Sequence, residues 1–193
     1  MNNMNDITNT LNIDWGSIIR SLGTGTRIDF TKILPHVEPD SIAVNKEELT
    51  KIHDHLVSCN YNTDTIVWTN YYSDKNNFDE SITIKLANYL NVNVIRAWIS
   101  RIDPGYISGW HFDSDAEEED FLKIGFPIRY SIVITENPES GHIFILRGDS
   151  GDVTYGNTPQ GTVIKWDHYK NWHTGINAGI TPTYMFQLLG YQK

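Results

Sequence analysis

The sequence predicts a mainly β domain with helical support at its start, and three observations carry that reading. Apolar residues recur at helical spacing before about residue 91 and in short alternating β-branched and aromatic runs after it. The second half is punctuated by turn sequences: Asp103-Pro-Gly105, Asn137-Pro-Glu-Ser-Gly141, Arg147-Gly-Asp-Ser-Gly151, Gly156-Asn-Thr-Pro-Gln-Gly161 and Asn177-Ala-Gly179. The strand signals between them come at intervals of about ten residues, as in a sandwich or barrel. A double-stranded β-helix, or jelly roll, is one way to close such a meander with few unpaired edges.

In chain order, the Asn/Thr-rich stretch Met1–Asn12 reads as a tail. Lys46 to Cys59 reads as a helix, with Leu49, Ile52, Leu56 and Val57 at helical spacing. Thr65 to Tyr72 reads as a strand, and Phe78 to Leu90 as a second helix with Ile82, Leu86, Ala87 and Leu90. From Val92 about eight strands follow. The expectation is therefore one domain over residues 13–193, with helical support over about 13–91 and a barrel over about 92–192.

A chain of 193 residues buries enough surface to need neither a disulfide nor a structural metal. The single Cys59 excludes an intramolecular disulfide and suits a reducing interior, so cytoplasm is the expected location. The start lacks a basic segment followed by an apolar run, and no stretch approaches the ~18 apolar residues that span a bilayer. No membrane role is expected. A net charge of −9 without a basic stripe argues against nucleic acid as a partner, because non-specific affinity there comes from clustered Lys and Arg. The acidic run Asp113 to Asp120 reads as solvated, apart from its first residue.

The chemistry begins at Trp110-His111-Phe112-Asp113, at the end of a strand expected from about Tyr106. Side chains alternate across a strand, so His111 and Asp113 project from one face and form a chelating pair. Two histidines and one carboxylate on one face of a metal leave open positions for substrate or oxygen, the arrangement of non-haem Fe(II) oxygenases. A third ligand must come from another strand. His173, just before the final apolar strand Thr183 to Leu189, is the leading candidate; His168, in a turn-like Trp-Asp-His-Tyr segment, and His142, in a short strand, are the alternatives.

These residues resemble the Fe(II)/2-oxoglutarate-dependent oxygenases, especially their aspartyl/asparaginyl β-hydroxylase and prolyl hydroxylase-like branches. The resemblance spans about Val92 to Gln192. It rests on Ile95-Arg-Ala-Trp-Ile-Ser-Arg-Ile-Asp-Pro-Gly105, on Gly109-Trp-His-Phe-Asp113, and on His173 followed four residues later by Asn177. It implies a double-stranded β-helix in which His111, Asp113 and His173 hold Fe(II). With 2-oxoglutarate and dioxygen as co-substrates, such a protein hydroxylates a peptide side chain or a small molecule. Cupins share the barrel, and His173-Thr-Gly-Ile-Asn177 also looks like the end of their second motif. The alternative reading is a cupin-like metal- or sugar-binding module without oxygenase activity.

The sequence departs from the family's commonest pattern at the anchor for the distal carboxylate of 2-oxoglutarate. Many members place an Arg about ten residues beyond the distal histidine, where this chain has Thr183, and no Lys or Arg lies between His173 and Lys193. Arg129 is the expected replacement. In Ile128-Arg-Tyr-Ser-Ile-Val-Ile-Thr135 it shares a face with Ser131, Val133 and Thr135, and a cation in so apolar a strand demands a partner. Aspartyl β-hydroxylase-like members carry an Arg on a strand resembling this one. A structural ion pair for Arg129, and Arg96 or Arg101 as anchor, are the other readings; Ser131 and Thr183 are expected to contribute hydroxyls. Asp167 and His168 read as groups that orient His173 or as turn residues.

Overall fold

The computed structural model describes residues 7–31, 36–38, 46–73, 76–113, 127–148 and 150–193. In chain order the elements are α1 (Ile7–Leu11), α2 (Trp15–Arg20), β1 (Thr26–Asp29), β2 (His36–Glu38), α3 (Lys46–Ser58), β3 (Val67–Tyr72) and α4 (Glu80–Leu90). The barrel strands follow: β4 (Val92–Ile102), β5 (Ile128–Val133), β6 (His142–Gly148), β7 (Gly151–Gly156), β8 (Val163–Asp167), β9 (His173–Asn177) and β10 (Thr183–Gln192).

Local chemistry explains the ends of the helices. Asp79 caps α4 by accepting from Ser81 N at 2.8 Å, and Asn91 closes it in the left-handed conformation at φ 56°, which Asn tolerates better than most residues. Asp14 caps α2 in the same way through Ser17 N.

The strands form two sheets, ordered β2-β1-β3-β4-β10-β5-β8 and β7-β6-β9. The segment 107–111 extends the smaller sheet, bridging β9 through Ile107↔Ile176 and His111↔His173. From β4 onward the chain therefore passes to the small sheet at 107–111, back to the large one at β5, to the small one for β6 and β7, to the large one at β8, to the small one at β9 and back at β10. This winding, with β10 hydrogen-bonded between β4 and β5, is the jelly-roll order of a cupin-type double-stranded β-helix.

Period-two alternation gives the large sheet two different faces. Ala97, Ile99, Tyr130, Ile132, Phe186 and Leu188 point outward into the main core, beneath Trp15 and Ile18 of α2 and Leu86 of α4. The intervening residues Trp98, Ser100, Arg129, Val133, Met185 and Gln187 face the barrel interior, where a cavity of about 390 Å³ lies. That volume suits a small-molecule site.

Several elements differ from expectation. The stretch expected as a tail is helical from Ile7, whose side chain is fully buried in the main core, because an apolar residue there has a groove to fill. The strand expected from Tyr106 is instead an irregular segment with bridges only at Ile107 and His111. Gly109, at φ +75°, turns the backbone out of the extended region between them. The acidic run beyond Asp113 lies outside the described residues. Among the described residues no helix is long and apolar enough to cross a membrane, which says nothing of a β-barrel.

Candidate metal centre

Backbone pairing brings His111 and His173 together: His173 N donates to His111 O at 2.7 Å and His111 N to His173 O at 3.1 Å. Their rings lie 4.3 Å apart between centroids. Asp113, two residues on, returns its carboxylate to the same spot, with Oδ1 3.6 Å from His111 Nε2 and Oδ2 3.7 Å from His173 Nε2. The three ligand atoms fall within 4.8 Å of one another, the one such group among the described residues.

The donor set has the chemistry a divalent cation requires. His111 Nδ1 faces Gly109 O at 3.0 Å and His173 Nδ1 faces Asn171 O at 3.3 Å, so each ring donates its Nδ1–H to the backbone and turns Nε2 into the site. Burial pushes the His173 pKa well below its ordinary value, with the nearby His111 and Arg129 adding to the effect against the pull of Asp113. Burial acts upward on Asp113, but the charge of Arg129 beside it, with His173, His168 and His111 around the carboxylate, overrides it and holds the carboxyl well below its usual range. A neutral imidazole and an ionised carboxylate are the protonation states that bind metal. Two imidazole nitrogens and a carboxylate oxygen suit iron among other divalent ions.

Arg129 stands beside this trio. Its guanidinium lies between two indoles, 4.5 Å from the Trp98 ring centre and 4.8 Å from that of Trp166, which fixes the plane of the fork. Nε donates to Gln187 Oε1 at 3.2 Å, and Nη1 is hydrogen-bonded to Asp113 Oδ2. The ion pair considered for Arg129 is thus present, and its partner is Asp113. Ser131 is fully buried behind the wall, where its hydroxyl donates to Gln187 Oε1 at 2.7 Å and accepts from Trp166 Nε1 at 3.0 Å. Ser131 and Arg129 therefore share Gln187.

Thr183 is elsewhere. Leu189 pairs with Arg129 on β5, so Thr183 lies six residues, about 20 Å, along β10 from that row. It faces Thr135, with the two hydroxyl oxygens 3.3 Å apart. One carboxylate cannot touch both Arg129 and Thr183.

The other candidates separate cleanly. His168 lies in the turn after β8, one of its two expected roles, and is buried with Nδ1 3.2 Å from Asp113 Oδ2, so its side chain reaches the carboxylate rather than His173. His142 has Nε2 3.0 Å from Thr181 O and accepts at Nδ1 from Glu139 N, so both nitrogens serve the loop beneath it. Arg101 points out of the barrel and pairs with Asp103 at 2.6 Å. Arg96 lines the cavity and is exposed. Asn177 Nδ2 donates to Ile102 O and Thr181 O, both at 2.8 Å, which makes it a structural tie between β4 and the turn after β9. Sequence reasoning missed Gln187. Its signal was a polar residue inside Phe186-Gln-Leu-Leu189, the same anomaly that singled out Arg129.

No family model matches the chain, and no curated protein matches its sequence. Solved structures with a similar fold include a prolyl-4-hydroxylase from Pseudomonas putida at 10% identity, covering 65% of this chain and 72% of that one with a TM-score of 0.46. A Cupin_2 domain of an XRE family transcriptional regulator from Enterobacter cloacae is similar at 13% identity, over 55% of this chain and 87% of that one, with a TM-score of 0.32. A sugar phosphate isomerase of the cupin superfamily from Silicibacter pomeroyi aligns at 11% identity over 90% and 73%, with a TM-score of 0.38. Likeness this distant carries no argument about activity. Strand order and side-chain geometry define a cupin-like double-stranded β-helix whose His111, Asp113 and His173 could bind a metal ion.

Proposed function

We propose that the protein is an Fe(II)- and 2-oxoglutarate-dependent dioxygenase that hydroxylates a peptide side chain or a small molecule. The observation that carries this reading is the His111, Asp113 and His173 trio, with both Nε2 atoms turned inward and an ionised carboxylate, at one end of a cavity with a buried arginine in its wall. Bound together, iron, 2-oxoglutarate and dioxygen supply the oxidising power that inserts one oxygen atom into a C–H bond while the keto acid is decarboxylated to succinate. The protein's own part is positional. His111 and His173 are held by their Nδ1 hydrogen bonds, and Trp68 stacks parallel to His111 at 6.3 Å. Arg129, clamped between Trp98 and Trp166 and supported through Gln187 by Ser131, is assigned to the distal carboxylate of the keto acid, exchanging part of its contact with Asp113.

A second reading is favoured by a specific observation. Arg129 already pairs with Asp113, and the position where an anchoring Arg is commonest, Thr183, lies in a neutral part of the cavity. This suits a cupin-like metal- or sugar-binding module that uses no keto acid. Anaerobic titration of the Fe(II)-loaded protein with 2-oxoglutarate separates the two. The oxygenase reading expects the weak visible metal-to-ligand charge-transfer band of a chelated keto acid, and absence of the band, with Fe(II) bound, leaves the module.

A further inference from the structure

The cavity wall holds a second arginine, Arg96. Arg96 lies on β4 opposite Leu189, which in turn lies opposite Arg129, so the two arginines occupy one row of the large sheet, two strands or about 10 Å apart. Arg129 is buried and committed to Asp113, Gln187 and two indoles. Arg96 is exposed at the open end of the cavity, and among the described residues its side chain has neither an ion pair nor a hydrogen bond.

Two further features single this position out. The register between β4 and β10 slips beside it: Leu189 pairs with Arg96 but Gly190 with Val94, which leaves Ile95 as an extra residue. A bulge of this kind re-aims the neighbouring side chain, and here the neighbour is Arg96. Among the described residues the charge of the lining is also one-sided. Asp113 is the only acidic residue among the described residues of the cavity wall, against Arg96 and Arg129, although the chain as a whole carries a net charge of −9. A divalent cation at the centre would make the cavity more positive still. A cationic cleft in an acidic protein concentrates anions.

We infer that Arg96 binds an acidic group, a carboxylate or a phosphate, on the molecule to be oxidised. The apolar cluster beside it, Tyr72, Trp98, Leu189 and Ile95, receives that molecule's hydrocarbon or aromatic body. The assignment to a substrate rests on the oxygenase reading; the anion site itself does not. An acid held by Arg96 lies about 10 Å across the row from a keto acid held by Arg129, so two anions are accommodated without sharing a cation.

The test uses phenylacetate, phenyl phosphate and the uncharged phenylacetamide as probes, with the Zn(II)-loaded protein titrated by ligand-observed NMR in the presence and absence of 2-oxoglutarate. At least one of the two anions is expected to bind, the amide at least about tenfold more weakly, and Arg96→Gln to weaken the bound anion by about 10-fold or more. Arg96→Lys is expected to restore part of the loss. Which anion binds better separates a carboxylate substrate from a phosphorylated one. Binding of the amide as tight as that of the anions overturns the inference, as does an Arg96→Gln protein that keeps wild-type anion affinity. A parallel loss of 2-oxoglutarate affinity in Arg96→Gln also overturns it, because Arg96 would then be the co-substrate's anchor. If wild-type protein binds phenylacetate through Arg96 but never binds 2-oxoglutarate, the oxygenase reading fails and the anion site stands.

Discussion

The two ends of the barrel cavity are built from the same residue types and behave differently. At the open end His111 and His173 spend one nitrogen each on a backbone carbonyl and turn the other inward, toward Asp113. At the far end His142 spends both nitrogens, on Thr181 O and Glu139 N, and the nearby Thr135 and Thr183 hydroxyls face each other. The open end also carries Arg96 and Arg129, whereas the far end has no described arginine or lysine in its lining. What makes a histidine a ligand candidate is thus the nitrogen it has left over, not its burial, since His111, His142 and His173 are all buried.

The largest test of this contrast exchanges histidines at the two ends. His111→Ala or His173→Ala is expected to abolish Fe(II) binding, and His142→Gln to leave it within about twofold, because distant sites behave independently. Titration of each apoprotein with Fe(II) under argon checks this, and loss of iron in the His142 variant would erase the distinction.

Next in size is the ion pair between Asp113 and Arg129. Asp113→Ala removes a ligand and also strands a buried guanidinium, so it is expected to cost about 3–5 kcal/mol of stability in chemical denaturation. Adding Arg129→Met to that variant should recover most of the loss, since replacing both members of a buried pair by apolar groups is often neutral. If Asp113→Ala is as stable as wild type, the pair is a weak one.

Arg129→Ala is expected to lower 2-oxoglutarate affinity by about 10–100-fold, the worth of one or two charge-assisted hydrogen bonds, and Arg129→Lys to recover only part of it. Calorimetric titration with the metal-loaded protein reads this. A wild-type constant in the alanine variant would confine Arg129 to holding Asp113.

A smaller effect follows from the protonation of His173. Its folded pKa is depressed, so below about pH 6.5 the unfolded chain takes up a proton that the native state refuses. Metal-free protein should therefore lose up to about 1.4 kcal/mol of stability per pH unit as the pH falls below that value, until native His173 is itself protonated. His173→Phe should flatten the slope of stability against pH in that window. Asp113 contributes in the same direction but at lower pH, below about 4.

The smallest effect is expected at the far end. Thr183→Val removes one hydroxyl contact and should cost about 0.5–1.5 kcal/mol without changing 2-oxoglutarate affinity. A tenfold weaker keto acid in this variant would mean that the co-substrate lies deep along the barrel, and that the open end is not where anions collect.

The period of the side chains could be read from the sequence alone, and much follows from it. It placed Arg129 and Ser131 on one face of their strand and a helix over Phe78–Leu90, found as α4 over Glu80–Leu90 with Leu86 and Ala87 buried, because alternation in a strand and the turn of a helix are local properties of the backbone; His111 and Asp113 do come together, but on an irregular segment rather than on the expected strand. The helical start at Ile7 was hidden, since its stability comes from the groove it fills rather than from propensity. The cross-strand relations belonged to tertiary structure. That Gln187 joins Arg129 to Ser131 and that Thr183 lies six residues along β10 from the residue paired with Arg129 both depend on β10 pairing between β4 and β5 in one register, and that His168 reaches Asp113 depends on β8 pairing with β5. Register is set by the packing of whole faces against one another, and no local pattern in a single strand records it.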